Sequence, residues 1–388
     1  MKRYLASACT AVVLVAGPAV AQQKATITGV TEIPFTSVPN FLKLPAGEYL
    51  GESVAVATNS KGNIYVYHRR DTTRLFEFDR NGNFVKEIGK GYYGFEFAHS
   101  VRVDKDDNIW TVDEGTNLVT KFSPEGKVLM VLGRRPPAVD GPVVFPAGPN
   151  PPAQKYIFCR PTDVGFDPQG NIFVSDGYCN NRVVKYDRNG RFLAQAGSEK
   201  PGKGLGEFNL PHGLQVDEQG NVWVADRTNL RYQVLDNSLK PIREITNLGV
   251  GWTLCISPGP HQYVFHSNSN PNGNTPGSWD ITGEIYKTEL DGTVIGKFGK
   301  PGKVAPGFVK RVDAVRDLLQ SDGRTLAQGA LAWLWARSPR TLPIPGFRSV
   351  AQVEENCGAL AKGPLPPAVM AEIERVLARE PEGEPRER

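Results

Sequence analysis

The chain has 388 residues, 40% of them hydrophobic and 22% charged, a balance that excludes wholesale disorder. The formal charge is +4, and Lys2 and Arg3 lie in a segment expected to be removed, so the remaining field is too weak to argue for nucleic acid. The 41 Gly and 31 Pro suit many turns between short strands and disfavour a helix bundle.

Met1 to Ala21 reads as a secretory signal: a basic start, an apolar run from Leu5 to Ala16, and the small-residue site Ala19-Val20-Ala21 before Gln22. The run is too short to span a bilayer, and no later stretch could do so. A periplasmic or secreted protein with no membrane span is therefore expected. Cys9 would leave with the signal, and Cys159, Cys179, Cys255 and Cys357 would remain. In an oxidising compartment a pair bonds if geometry allows. Cys159 and Cys179 flank a strand pattern from Asp163 to Asp176 and are the candidate pair, with Cys255 and Cys357 expected free. Four unrelated buried thiols are the alternative.

From residue 50 onward a unit repeats: an Asp turn, Gly-Asn or Asp-Asn, then an alternating strand that usually ends in Asp. It reads Lys61-Gly62-Asn63-Ile64-Tyr65-Val66-Tyr67, then Asp104 to Asp113, Asp167 to Asp176 and Asp217 to Asp226. Partner strands such as Arg182 to Asp187 follow, then a tight turn and an outer strand. Asn189-Gly190 predicts a type I′ turn, and Asn81-Gly82 and Asp291-Gly292 close hairpins in the same way. Periods of about 45–60 residues with four strands each mean propeller blades. Five are recognisable, near 50–90, 96–133, 158–197, 207–246 and 247–300, with a Pro-rich loop from Arg135 to Ala153.

Beyond Val304 the composition changes, since all twelve Tyr precede it. Phe308, Val312, Val315 and Leu319 predict a helix with Gly323 as its C-cap. Thr325-Leu326-Ala327-Gln328 opens a second helix as a capping box, running to Arg337. Thr341 to Pro345 reads as a short strand, Ser349-Val350-Ala351-Gln352 opens another helix, and Pro366 to Arg379 forms a last one. The expected organisation is a signal peptide (1–21), a β-propeller (22–305) and a helix-rich C-terminal segment (306–388).

His99 and His212 occupy the same position in two units, just before the inner strand, where side chains of different blades converge on a central channel. Two imidazoles there could share a metal, and hydrogen-bonded loop histidines are the alternative. Arg69 and Arg227 follow strands of blades one and four, and Tyr178 follows the matching strand of blade three. Together they could hold a carboxylate by a bidentate fork and keep a phenol near cationic charge.

Phe158-Cys159-Arg160-Pro161-Thr162-Asp163-Val164, Val174 to Arg182, Pro211-His212-Gly213-Leu214, Val224-Ala225-Asp226-Arg227 and Tyr67-His68-Arg69-Arg70-Asp71 carry a resemblance. Over about 45–300 the chain resembles the peptidyl-α-hydroxyglycine α-amidating lyase family. The resemblance implies an all-β, six-bladed NHL-like propeller with zinc in the channel and a structural calcium. By motif, His99 and His212 match zinc ligands, Tyr178 the catalytic tyrosine, and Arg69 and Arg227 the active-site arginines. Val101 matches a position whose backbone carbonyl binds calcium, and Cys159 and Cys179 match a disulfide. Trp223 and Val234 stand where the family's second disulfide would be. The implied reaction is elimination: a peptide ending in α-hydroxyglycine breaks into a peptide amide and glyoxylate.

The sixth blade, with the family's third zinc histidine, is missing. No histidine follows His266, and His261 and His266 stand in a different local context. Two histidines alone would hold zinc weakly or with waters. Residues 308–388 instead resemble the end of an aldo/keto reductase, a fragment of an α/β barrel, through Gly323 to Gln328, Ala332-Trp333, Ile344-Pro345-Gly346 and Val353-Glu354-Glu355-Asn356. By that resemblance Arg348, Ser349 and Asn356 would match contacts to the adenosine end of NADPH. The Asp, Tyr, Lys and His of reductase chemistry belong to absent strands, so NADPH is not expected as a cofactor. Three readings follow: an exported zinc-dependent lyase, a non-catalytic propeller binding a peptide or small ligand, and an NADPH-dependent reductase resting on the tail alone.

Overall fold

The structure, a computed structural model, describes residues 29–36, 38, 40–45, 48–69, 72–135, 153–268, 283–299, 314–337 and 349–377. The signal segment, the central part of the Pro-rich loop, Phe308, Val312, the 341–345 strand and Arg348 lie outside them. Five four-stranded antiparallel sheets follow one another in chain order. They are β1–β4 (Glu52–Thr58, Ile64–Arg69, Thr73–Phe78, Phe84–Ile88), β5–β8 (Ala98–Val103, Ile109–Asp113, Leu118–Phe122, Val128–Gly133) and β9–β12 (Asp163–Phe166, Ile172–Asp176, Arg182–Tyr186, Phe192–Gly197). Then come β13–β16 (Pro211–Val216, Val222–Asp226, Arg231–Leu235, Pro241–Ile245) and β17–β20 (Gly251–Ile256, Tyr263–Asn268, Glu284–Glu289, Val294–Phe298). These are the five expected blades, and the described residues contain no sixth.

The burial pattern follows from blades packing face to face. Strands β6, β10, β11, β14 and β15 are buried at every residue, because a neighbouring blade covers each face, whereas outer strands such as β12 are partly exposed. The apolar clusters accordingly lie between consecutive blades. Trp110, Val112 and Val119 pack on Val164, Ile172 and Val174, and Phe173 and Val183 on Leu214, Val222 and Val224. Each such buried Val, Ile, Leu or Phe stabilises by about 1.5–3 kcal/mol. Trp223 and Val234 are cross-strand partners in the cluster between blades four and five.

The Asp residues of the repeat have two structural tasks. At the turn, the carboxylates of Asp104 and Asp217 each accept from the backbone N–H four residues on and from a Trp indole N–H. Gly62, Gly170 and Gly220 take the left-handed conformation there (φ +81°, +84°, +85°), and Asp107 takes it in blade two. At the strand end, Asp113, Asp176 and Asp226 each accept from backbone N–H groups of the segment leading into their own blade's inner strand: Phe97, Cys159 and Asn209. These bonds fix the strand-end loops that rim the channel.

Two expectations are corrected. The Asn189-Gly190 hairpin is not type I′, which needs positive φ at both residues; Gly190 alone has it, and Asp187 accepts from the N–H groups of Asn189 and Arg191. Asp79 does the same at Asn81-Gly82. In the tail, residues 314–319 are helical, but Gly323 (φ +65°) ends a separate 3₁₀ turn, Ser321–Gly323, rather than capping that helix directly.

The three later tail helices form as expected. Helix α1 (Leu326–Arg337) begins with a reciprocal box: the Thr325 N–H donates to Gln328 Oε1 (3.1 Å), and the Gln328 N–H to Thr325 Oγ1 (3.2 Å). Ser349 caps α2 (Val350–Lys362) by accepting from the Gln352 N–H, and α3 is Pro367–Leu377. Ala332, Leu365 and Ile373 form a small core of their own. At the other end of the chain, residues 31–33 pair with Lys297 of β20, and Lys43 pairs with Asn83 beside β4. This segment lines outer strands of the fifth and first blades, covering edge backbone groups.

Candidate active site

Inner strands β1, β5, β9, β13 and β17 line one channel cavity of about 480 Å³ that includes His99, Thr162, Asp163, His212 and Trp252. His99 enters from β5 and His212 from β13. Each ring is fixed by a backbone carbonyl: His99 Nδ1 lies 2.6 Å from Thr162 O, and His212 Nδ1 lies 2.7 Å from Trp252 O. Those carbonyls can only accept, so each Nδ1 carries its proton and each Nε2 keeps a lone pair. Burial holds His99 down to about 4 and His212 well below the ordinary imidazole value, with the cations Arg69 and Arg227 adding to the effect at His99. Both imidazoles are neutral at pH 7.

Both lone pairs face one phenol. Tyr178 Oη is 3.4 Å from His99 Nε2 and 3.5 Å from His212 Nε2, and Arg227 donates to it from 3.5 Å. Tyr178 is placed by its neighbours in sequence. Cys159 and Cys179 are disulfide-bonded with Cα atoms 5.4 Å apart, and the Tyr178 N–H donates to Arg160 O, so the two loops are tied together. A Cβ on Gly177 would stand 2.0 Å from Pro211 O, so the loop approaches blade four as only glycine allows. Cys255 and Cys357 are free.

Arg69 and Arg227 are each held flat on an aromatic ring. Arg69 lies 3.5 Å from the Phe97 ring centre and donates to Ala98 O; Arg227 lies 3.9 Å from the Trp252 ring centre. Two further residues join the cluster that the motifs did not single out. Arg160 stacks over the Tyr178 ring at 4.3 Å and forms an ion pair with the buried Glu114. Glu114 Oε2 is also 4.0 Å from Arg69 and 3.8 Å from His99 Nε2. Burial disfavours the positive charge of Arg69, Arg160 and Arg227 alike, a penalty that an anion in the channel relieves. Superposing the repeats would have flagged Glu114, which follows Asp113 as Arg227 follows Asp226.

The donor chemistry fits two ligands of a zinc ion: neutral imidazoles, Nδ1 protons fixed by carbonyl acceptors, and Nε2 lone pairs converging. Among the described residues no group of three His, Cys, Asp or Glu side chains is set to hold a metal. His266 is buried in blade five against Thr288, and His261 is exposed beside Glu289, so neither supplies the third ligand.

Calcium fits poorly. The residue after Val101 is Arg102, and its guanidinium lines the channel, bonding both oxygens of Asp163 (3.0 and 2.5 Å) and reaching Thr253 Oγ1 and Leu254 O of blade five. Asp163 also accepts from Ser100, Val164 and Leu214. With that carboxylate saturated and a cation already in place, the oxygen ligands that calcium requires are committed elsewhere.

Comparison with known proteins finds the following similarities. The chain is 31% identical over 261 residues to peptidylglycine α-amidating monooxygenase of Rattus norvegicus, covering 58% of this chain and 25% of the relative. It is 28% identical over 265 residues to a Caenorhabditis elegans protein named "Probable peptidyl-alpha-hydroxyglycine alpha-amidating lyase", covering 62% and 71%. The propeller resembles the amidating lyases. The chain spans a quarter of the rat relative's length. The NHL repeat model matches residues 158–186 and 208–235, within blades three and four. The aldo/keto reductase family model matches 265–378, beginning inside β18 of the fifth blade and running through the helical tail. A solved streptogramin B lyase shares 14% identity at a TM-score of 0.44, covering 66% of this chain and 71% of that one. In the tail, Ser349 is the α2 cap and Asn356 lies within that helix.

Proposed function

We propose that the channel mouth is the active site of an exported lyase that releases glyoxylate from peptides or small acyl groups ending in α-hydroxyglycine. The observation that carries this reading is the Tyr178 oxygen, set within 3.5 Å of two imidazole lone pairs and a guanidinium N–H. Arg69 and Arg227 would hold the substrate carboxylate, and their guanidinium groups would offset negative charge that develops on the reacting oxygens. Tyr178, acting as the phenolate, would then take the proton of the substrate hydroxyl. The oxygen becomes the carbonyl of glyoxylate, the C–N bond breaks with its electron pair going to nitrogen, and that nitrogen recovers the proton from Tyr178 as the amide leaves. A zinc ion held by His99 and His212 would supply Lewis acidity toward the substrate oxygen.

Export is supported by the signal-like start and by the disulfide. No helix among the described residues is long and apolar enough to cross a membrane. That no group of three donors is set to hold a metal among the described residues favours, as a second reading, a propeller that binds such carboxylates without converting them. Zinc titration alongside a glyoxylate assay on α-hydroxyhippurate separates the two. The lyase reading expects one zinc per chain and turnover, both lost in His99→Ala and His212→Ala. Folded, zinc-loaded protein that releases no glyoxylate supports the binding reading instead.

A further inference from the structure

His99 and His212 stand on different blades, yet one carboxylate bonds to both of their strands. Asp163 opens β9, which packs against β5 and β13, and only 3% of its side chain is exposed. Its Oδ1 accepts from the hydroxyl of Ser100, the residue after His99 (2.6 Å), and its Oδ2 from the N–H of Leu214, two residues after His212 (2.9 Å). The neighbours of Asp163 reinforce the same frame. Thr162 accepts from His99 Nδ1 and donates its hydroxyl to the carbonyl of Pro211, the residue before His212. Ser175 of β10 donates to His212 O. A cation completes the frame: Arg102 bonds both oxygens of Asp163 and reaches Thr253 Oγ1 (3.4 Å) and Leu254 O (3.5 Å) of blade five. A carboxylate, a hydroxyl and a backbone carbonyl converging on one positive charge are donors that a hard cation takes.

We propose that Asp163 is the positioning residue that holds His99 and His212 at metal-sharing distance, and that the Arg102 guanidinium is the built-in cation of this frame, in the place where the resemblance implied calcium. The two imidazoles come from separate sheets, so their spacing is set by whatever joins β5, β9 and β13 at the channel. A neutral side chain at position 163 keeps the shape but loses the charge-assisted bonds, which are about twice as strong as neutral ones. The Ser100 and Leu214 bonds are made beside the two imidazoles rather than to their rings, so Asp163 acts through the histidines. The identity of the metal rests on the lyase reading; the frame rests on these bonds alone.

The test is the zinc affinity of the full chain, measured by competition with a chelating dye, with the absorption spectrum of bound cobalt as a second readout of donor geometry. Asp163→Asn is expected to bind zinc about tenfold more weakly and to shift the cobalt spectrum. Leu235→Ala, in the core between blades three and four, is expected to lose stability yet keep its zinc affinity within about twofold. Wild-type affinity and spectrum in Asp163→Asn, an equal zinc loss in Leu235→Ala, or a wild type that binds no zinc overturns the proposal. Should Asp163→Asn not fold, Ser100→Ala removes the blade-two bond alone and is expected to weaken zinc about threefold, whereas unchanged affinity overturns the proposal. Calcium tests the cation. Millimolar calcium is expected to raise the melting temperature of Arg102→Ala by about 3 °C and to leave the wild type unmoved. No shift in the variant, or an equal shift in the wild type, overturns the assignment of Arg102. A parallel glyoxylate assay keeps the two readings apart, since lack of turnover with the zinc and calcium results intact refutes only the lyase.

Discussion

Acid should unfold this protein through its buried histidines well before its carboxylates are protonated. His99 is held down to about 4 and His266 to about 3 by burial, and His212 is pushed the same way, against about 6.5 in an unfolded chain. Below pH 6.5 the unfolded chain binds protons that the folded chain refuses, so stability falls as pH falls. Between pH 7 and pH 5 His99 and His266 each cost about 2 kcal/mol, roughly 4 kcal/mol together, and His212 adds in the same sense. That is a large share of a total stability of about 5–15 kcal/mol. Asp176 and Asp226, whose carboxyl pKa values burial raises, act in the opposite sense as the pH falls through their folded values. Urea unfolding of chelator-treated protein at pH 7, 6 and 5 measures the slope. His266→Gln, away from the channel, should remove about a third of it. Stability that stays flat or rises from pH 7 to pH 5 would refute the assignment of these histidines as buried and neutral.

Two further outcomes follow from the same geometry. The disulfide closes a loop of sequence separation 20, so Cys159→Ser with Cys179→Ser should lower stability by about 3 kcal/mol, read as a drop in the urea midpoint. Because Arg102 occupies the channel beside Val101, a calcium chelator should leave the melting temperature unchanged, while Arg102→Met, which strands Asp163, should cost about 3–5 kcal/mol. Stoichiometric calcium in the purified protein would contradict that account.

The architecture was legible because each blade repeats the same local chemistry. Asp104, Asp167 and Asp217 mark the turns, and Asp113, Asp176 and Asp226 mark the strand ends, so counting units counts blades. The same register placed His99 and His212 at one position and Arg227 and Tyr178 at strand ends. What escaped was non-local. Nothing near Glu114 in sequence announces that Arg160 and Arg69 meet it, from positions 46 and 45 residues away. The pairing of residues 31–33 with Lys297 joins the two ends of the propeller, and no short-range pattern encodes it. The hairpin turns were misread because Asn-Gly is compatible with more than one turn. The preceding Asp187 and Asp79 carboxylates choose between them by capturing the turn's N–H groups.

Glyoxylate release from α-hydroxyhippurate by zinc-loaded wild type and Tyr178→Phe, compared at equal metal content, tests the central claim most directly. Removal of the phenol oxygen leaves the two imidazoles and the arginines in place, so the account predicts wild-type turnover and a loss of at least a hundredfold in Tyr178→Phe, in line with the share general acid–base catalysis supplies. Equal rates in the two proteins would contradict it.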